Sequence, residues 1–337
     1  MRSVWQIECE ALPGLEDLLG REIERRIGAT RSLGFRFSGP LAELLQLRIA
    51  HSVYLVVAVR GARPTALLGH ENLQRLLAAI DATRSLHPPG AFRSFRFSAA
   101  GSDSSTFRRV AAALEEATSL PPEPETGDLL LRVRRAPDGW ETLVRLSPRP
   151  LSARAWRVRN LPGALNAGIA AAMVELTGPR PGDRFANLAC GSGTLLAERL
   201  LRCPAEEALG YEIEAAPLEA ARANLAAAGV GREVVLVRAD VTTLPRRDSS
   251  LDAMVVDLPY GDLMGSHAAN SALYRPLLVE AARVAAAGAR LVVITQEVRL
   301  LESCLAESGS PWSVEHRLRV LQGGHHPLAA VLRRRPW

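Results

Sequence analysis

The run Asp257-Leu258-Pro259-Tyr260-Gly261 brings together the groups needed to make a poor nucleophile react. The exocyclic amine of a nucleobase is unreactive because its lone pair is delocalised into the ring. A carboxylate and a backbone carbonyl that accept the two N–H hydrogens turn that lone pair toward an electrophilic methyl and stabilise the charge developing on nitrogen. Asp257 and the carbonyl of Leu258 are the candidate acceptors. Pro259 fixes the turn, and Tyr260 offers an aromatic face on which the base stacks in line with the donor. The competing reading is a strand closed by an ordinary turn. The place of the motif, three strands beyond a glycine-rich loop, argues for chemistry.

That loop is Asn187-Leu188-Ala189-Cys190-Gly191-Ser192-Gly193-Thr194. Glycines at the end of a strand let the backbone bend sharply and come close to a ligand. A dinucleotide site would need a third glycine where this chain has Leu196, so the loop suits a ligand without a pyrophosphate, its amino-acid end against the bend. Glu212 follows the next strand, where a carboxylate can accept both ribose hydroxyls. Asp240 follows the third and could accept from an adenine amino group. Either acid alone is an ordinary cap or turn residue; in this order they define a nucleoside site. Asp257 belongs to both sets, because the amine it holds must face the donor's methyl.

The elements that carry these residues are legible. From residue 163 onward strands at 184–188, 208–213, 234–238, 251–257 and 289–295 alternate with helices, which predicts a parallel sheet covered on both faces. The tail, 312–321 and 328–334 around Gly323-Gly324-His325-His326-Pro327, reads as an antiparallel hairpin. A doubly wound sheet that ends so is the methyltransferase variant of a Rossmann-like fold.

Upstream lie two smaller α/β modules. The first has strands at 4–9, around Phe35 and Phe37 and at 53–59, with helices at 15–27 and 41–47. The second, 64–150, has a helix over 72–80, a strand over 92–97 with Arg93 and Arg96 facing outward, a helix over 106–117, and two strands joined by the turn Pro137-Asp138-Gly139.

Composition narrows the partners. The 337 residues are 47% hydrophobic and 23% charged, as in a globular enzyme, and no apolar run reaches the length of a membrane span. No signal peptide is visible at the N-terminus. The four cysteines lack a CxxC pair, which points to no zinc site, no disulfide framework and a cytoplasmic location. All 41 basic residues are Arg, a usage that also follows from a GC-rich genome. Residues 1–160 hold 23 Arg against 17 acids and residues 161–337 hold 18 against 19, so the front half is basic and fits an anionic polymer. No acid occurs between Glu141 and Glu175, while Arg154, Trp156, Arg157 and Arg159 fall there, a strip suited to RNA phosphates and stacking. A solvated strand edge with a core Trp would look the same. His325-His326 reads as a hairpin turn rather than a metal site, and no metal is expected.

With the glycine loop, Asp257 to Gly261 and the following Met264-Gly265-Ser266, Asn270 and Leu273-Tyr274 in view, nearly the whole chain resembles the THUMP-domain tRNA guanine-N2 methyltransferases. The resemblance implies a ferredoxin-like module over 1–62, a THUMP RNA-binding domain over 63–150, a linker over 151–163 and a class I methyltransferase domain over 164–337. It implies S-adenosylmethionine as cofactor, tRNA as partner, no membrane or obligate protein partner, and methylation of guanosine N2 in the acceptor-stem region. The family pattern (N/D)-(L/P)-P-(Y/F) is matched by Asp257 to Tyr260. Asn187-Leu188 replaces the family's usual Asp-Pro and removes a charge that would attract the cofactor's ammonium. Asp262 and Leu263 stand where relatives often carry basic residues. Adenine-N6 methylation of RNA or DNA needs the same acceptors and stays open, as does a catalytically weak RNA-binding protein.

Overall fold

The computed structural model describes residues 4–61, 63–259, 267–307 and 309–336. Tyr260 to Ser266 and the side chain of His267 lie outside them. The chain divides into two compact units, one of residues 1–11 and 19–152, the other of 12–18 and 153–337.

The first unit is built on one six-stranded sheet. Its strands are β1 (Trp5–Glu10), β2 (Gly34–Phe37), β3 (Ser52–Arg60), β4 (Phe95–Ser98), β5 (Leu129–Ala136) and β6 (Gly139–Arg145), in the order β2-β1-β3-β6-β5-β4. The two upstream modules therefore share a sheet: β3 pairs with β6 from Tyr54↔Arg145 to Arg60↔Gly139. Sequence alone separates them because this pairing spans long loops, whereas the hairpin β5–β6 is local. The helices are α1 (Glu16–Ile27), α2 (His70–Arg84) and α3 (Ser105–Thr118), the last capped by Ser104, which accepts from Phe107 N. Residues 41–46, expected as an α-helix, form a 3-10 helix entered from Pro40; six residues are too few to repay α-helix nucleation.

The second unit is a seven-stranded sheet of β7 (Arg184–Leu188), β8 (Glu207–Glu212), β9 (Val235–Arg238), β10 (Leu251–Asp257), β11 (Ala285–Thr295), β12 (Trp312–Arg319) and β13 (Leu328–Arg334). Its order is β12-β13-β11-β10-β7-β8-β9, parallel except that β13 runs antiparallel to both neighbours. This is a Rossmann-like sheet with the expected terminal hairpin. Helices α4 (Ala167–Thr177), α5 (Thr194–Arg202), α6 (Ala215–Ala227), α7 (His267–Val284) and α8 (Val298–Ala306) connect the strands. Ala186, Leu188, Met254, Val256, Leu291 and Val293 face one side and pack with Tyr274 and Leu277 of α7. The strand direction reverses its progress between β7 and β10, and such a switch point opens a crevice at the carboxyl ends of the strands. Strand β11 starts at Ala285, immediately after α7 and four residues ahead of the strand expected over 289–295.

Residues 151–163, expected as a linker, divide at Ser152, and 153–163 belong with the methyltransferase-like unit.

Candidate active site

A cavity of about 890 Å³ opens at the switch point. Its floor is the bend after β7. Ala189, Gly191 and Gly193 all hold positive φ (55°, 52° and 79°), and Cys190 N donates to Tyr211 O at 2.7 Å, locking the bend to β8. Position 193 favours glycine, because its φ of 79° strains an L side chain and a Cβ there would crowd Ala221 Cβ at 3.2 Å and Ala221 Cα at 3.3 Å. Ala189 accepts the same left-handed strain without glycine's freedom, a cost that proteins concentrate at ligand sites. Leu196, where a dinucleotide fold would have its third glycine, is fully buried, and the space above Gly210 is filled by Leu196 Cδ1 and Leu236 Cδ2.

Glu212 and Asp240 line the cavity at the ends of β8 and β9. Glu212 does two jobs. Its Oε2 accepts from Gly191 N at 3.0 Å, and its Oε1 from Ile213 N at 2.9 Å and Glu214 N at 3.2 Å. The carboxylate thus holds the bend and keeps acceptor capacity on Oε2 for a ribose hydroxyl. Asp240 Oδ1 accepts from both the backbone and the hydroxyl of Thr242, at 2.8 and 2.7 Å. Those bonds hold its carboxyl below the usual carboxylate range, so it stays an acceptor. Ile213, Pro217, Ala239 and Val241 supply apolar surface between the two acids, as a flat heterocycle needs.

The reacting end lies at β10. Asp257 lines the cavity; its Oδ1 is buried without a partner among the described residues, and burial pushes its pKa up to about 7. Leu258 is buried and donates its N–H to Ile294 O at 3.0 Å, anchoring the motif to β11. Pro259 also lines the cavity. Its carbonyl accepts from the buried Tyr274 hydroxyl at 2.9 Å, and that hydroxyl also meets Thr295 Oγ1 at 2.6 Å. Tyr260, expected to stack on the base, falls outside the described residues.

Asn187 pairs with Val255 in the β7–β10 register, so Asp257, two residues on, projects from the same face. Asn187 is buried, and neither its Oδ1 nor its Nδ2 has a partner among the described residues. A buried amide left unpaired costs free energy, and a polar ligand at the bend is what would repay it. Ser192 and Thr194 are buried and also line the cavity. The Cys190 thiol is pushed up to about 12, chiefly by burial, and is no nucleophile at neutral pH.

Sequence reasoning missed the wall at residues 161–165, which lead into α4 and line the cavity opposite Glu212. The signal was there: Pro162-Gly163 ahead of a helix capped by Asn166, whose side chain accepts from Gly168 N. It also missed the tie from Tyr274 to Pro259.

The basic strip is corrected. The Arg154 guanidinium is nearly buried against Glu198, Nε to Oε1 at 2.9 Å, and Trp156 is buried, so neither is free to contact RNA. Arg157 is half-buried and donates to Leu165 O and Thr194 Oγ1. Arg159 is exposed. In the first unit Arg93 is exposed, with Asp128 at 3.5 Å, and Arg96 donates to Gly127 O at 3.1 Å.

The UPF0020 model, the RMKL-like methyltransferase domain, matches residues 154–327, which include the whole cavity. The chain belongs to this methyltransferase family. The tRNA (guanine(6)-N2)-methyltransferase of Thermus thermophilus is 29% identical over 97% of this chain and 98% of its own length. The crystal structure of TrmN from Thermus thermophilus superposes with a TM-score of 0.75 at 27% identity, covering 98% of this chain and all of that one. The bovine tRNA (guanine(6)-N(2))-methyltransferase THUMP3 is 30% identical over 52% of this chain and 37% of its own length.

The methyltransferase uses S-adenosylmethionine, and its residues fit that group. The acids at 212 and 240 and the apolar residues near them line one cavity with the bend and with Asp257, whose Oδ1 is buried. Among the described residues no cluster of His, Cys, Asp or Glu could hold a metal ion.

Proposed function

We infer that this methyltransferase transfers a methyl group to the exocyclic N2 of guanosine in tRNA, in the acceptor-stem region. One observation carries the reading: Asp257 presents a buried, unpartnered carboxylate oxygen to the cavity beside the bend that takes the cofactor. The cofactor supplies an electrophilic methyl on sulfur. Asp257 and the carbonyl of Leu258 accept the amine hydrogens and aim the nitrogen lone pair; the Tyr274–Pro259 bond keeps the turn that carries them in place. Guanine 6 of tRNA is the site named for the relatives from Thermus and cattle, and the first of these is covered over 98% of its length by 97% of this chain.

The basic first unit supplies a surface for the polyanion, with Arg93 and Arg96 as contacts and Arg159 exposed on the second unit. A cytoplasmic location accords with a tRNA substrate and with four cysteines that are all free. Among the described residues no helix is long and apolar enough to cross a membrane.

The test is a nucleoside digest, analysed by mass spectrometry, of unmodified tRNA transcripts incubated with the protein and labelled S-adenosylmethionine. N2-methylguanosine mapping to the acceptor stem is the expected product. N6-methyladenosine, or an unlabelled digest, rejects the reading.

A further inference from the structure

Residues 161–165 line the cavity, and the segment 159–165 that carries them belongs to neither the sheet nor any helix, so something must hold it there. Two side chains do. Asn224, in the interior of α6, is fully buried. Its Oδ1 accepts from Arg159 N at 2.8 Å, while its Nδ2 donates to Arg159 O at 2.9 Å and to Ser192 O at 3.0 Å. Both amide hydrogens and the carbonyl are used, and the pair of bonds to Arg159 copies a strand pairing. One residue thereby ties the wall to the glycine bend. Arg157 makes the second tie, donating Nη2 to Leu165 O at 2.7 Å and to Thr194 Oγ1 at 3.0 Å. Ser192, Thr194 and Leu165 all line the cavity.

We propose that Asn224 and Arg157 are positioning residues for the cofactor: together they set the spacing between residues 159–165 and the bend at 191–194, and so the slot that receives the cofactor's amino-acid end. The direction follows from the acids. Glu212 and Asp240 claim the ribose and adenine, which leaves the amino-acid end to the part of the cavity lined by Thr194 and Leu165. A buried amide in mid-helix is costly unless satisfied, and here every partner belongs to the wall or to the bend rather than to α6 itself. Arg157 therefore serves the cofactor site and not an RNA phosphate, although it stands in an acid-free, Arg-rich stretch.

The inference rests on this cavity taking S-adenosylmethionine, and calorimetry separates the two. Wild-type protein should bind S-adenosylmethionine; no binding defeats the cofactor reading, and this inference with it. Given binding, Asn224→Ala and Arg157→Met should each raise the cofactor Kd and KM at least tenfold, leave kcat at saturating cofactor within about threefold and leave the KM for tRNA unchanged. Arg157→Lys, which can reach one of the two acceptors, should recover part of the loss. If Asn224→Ala does not fold, Arg157→Met decides. A folded variant whose Kd stays within twofold of wild type while its melting temperature falls shows a merely structural role and overturns the proposal. So does a rise confined to the KM for tRNA.

Discussion

The hydroxyl of Tyr274 lies 2.9 Å from the carbonyl oxygen of Pro259 and 2.6 Å from Thr295 Oγ1, so a residue of α7 fastens the turn that carries Asp257 to the end of β11. Tyr274→Phe keeps the ring and removes the tie. Misplacing the turn by a fraction of an ångström should lower kcat about 10- to 100-fold. The stability cost is that of a buried carbonyl left unpaired, about 1–3 kcal/mol. Single-turnover rates and thermal melts check both. An unchanged rate would show that the turn is held by other means.

The charge of Asp257 sets a pH dependence. Burial pushes its pKa up to about 7, and the ionised carboxylate, an acceptor only, is the form that takes an amine hydrogen beside the Leu258 carbonyl. The kcat/KM for the cofactor should fall as pH drops through about 7, and Asp257→Asn should abolish that limb. At saturating cofactor the limb should move to lower pH, because a sulfonium nearby favours the charged carboxylate. A flat profile between pH 5.5 and 8.5 would contradict this.

Stability carries the same signature with its own sign. A carboxyl whose folded pKa lies above its unfolded value binds more protons in the native state, so its ionisation destabilises the fold as pH rises between the two values. For Asp257 that window runs from about 4 to about 7. The melting-temperature advantage of Asp257→Asn should therefore be small at pH 4 and widen up to about pH 8.

Asn187 carries two buried polar atoms without partners. Asn187→Leu, close in volume, should stabilise the ligand-free protein by about 1–3 kcal/mol, since it removes groups whose desolvation is uncompensated. The same change should weaken cofactor binding at least tenfold. Melts with and without S-adenosylmethionine read both, and a Leu variant that is stabilised by ligand as strongly as wild type would sink the idea.

Two arginines that look alike in sequence should behave oppositely. Arg154→Ala breaks the buried ion pair with Glu198, a loss of about 3–5 kcal/mol. Arg93→Glu reverses a charge at a side chain that is 81% exposed and should leave the melting temperature unchanged while weakening tRNA binding, more so at low salt.

These contrasts mark where sequence reasoning reaches. Asp257, Glu212 and Asp240 were readable because each is an acid just past an apolar strand, and strand order places such ends together. The seven-stranded sheet was readable for the same reason, its strands being short, largely apolar runs set apart by helices or turns. Arg154 was not, because its partner Glu198 lies 44 residues away and a paired arginine looks like a free one in sequence. The pairing of β3 with β6 hid behind two helices and 78 intervening residues, since β3 ends at Arg60 and β6 begins at Gly139. The service that Asn224 gives to Arg159 and Ser192 is likewise invisible without the fold, being a contact of helix interior with loop.

The account turns on the carboxylate at position 257, and single-turnover methyl transfer by Asp257→Ala, with cofactor affinity measured on the same preparation, tests it most directly. The account predicts cofactor binding within a few-fold of wild type and transfer to tRNA reduced at least a thousandfold, about 4 kcal/mol of lost transition-state stabilisation. Transfer that persists at near the wild-type rate in that variant would contradict it.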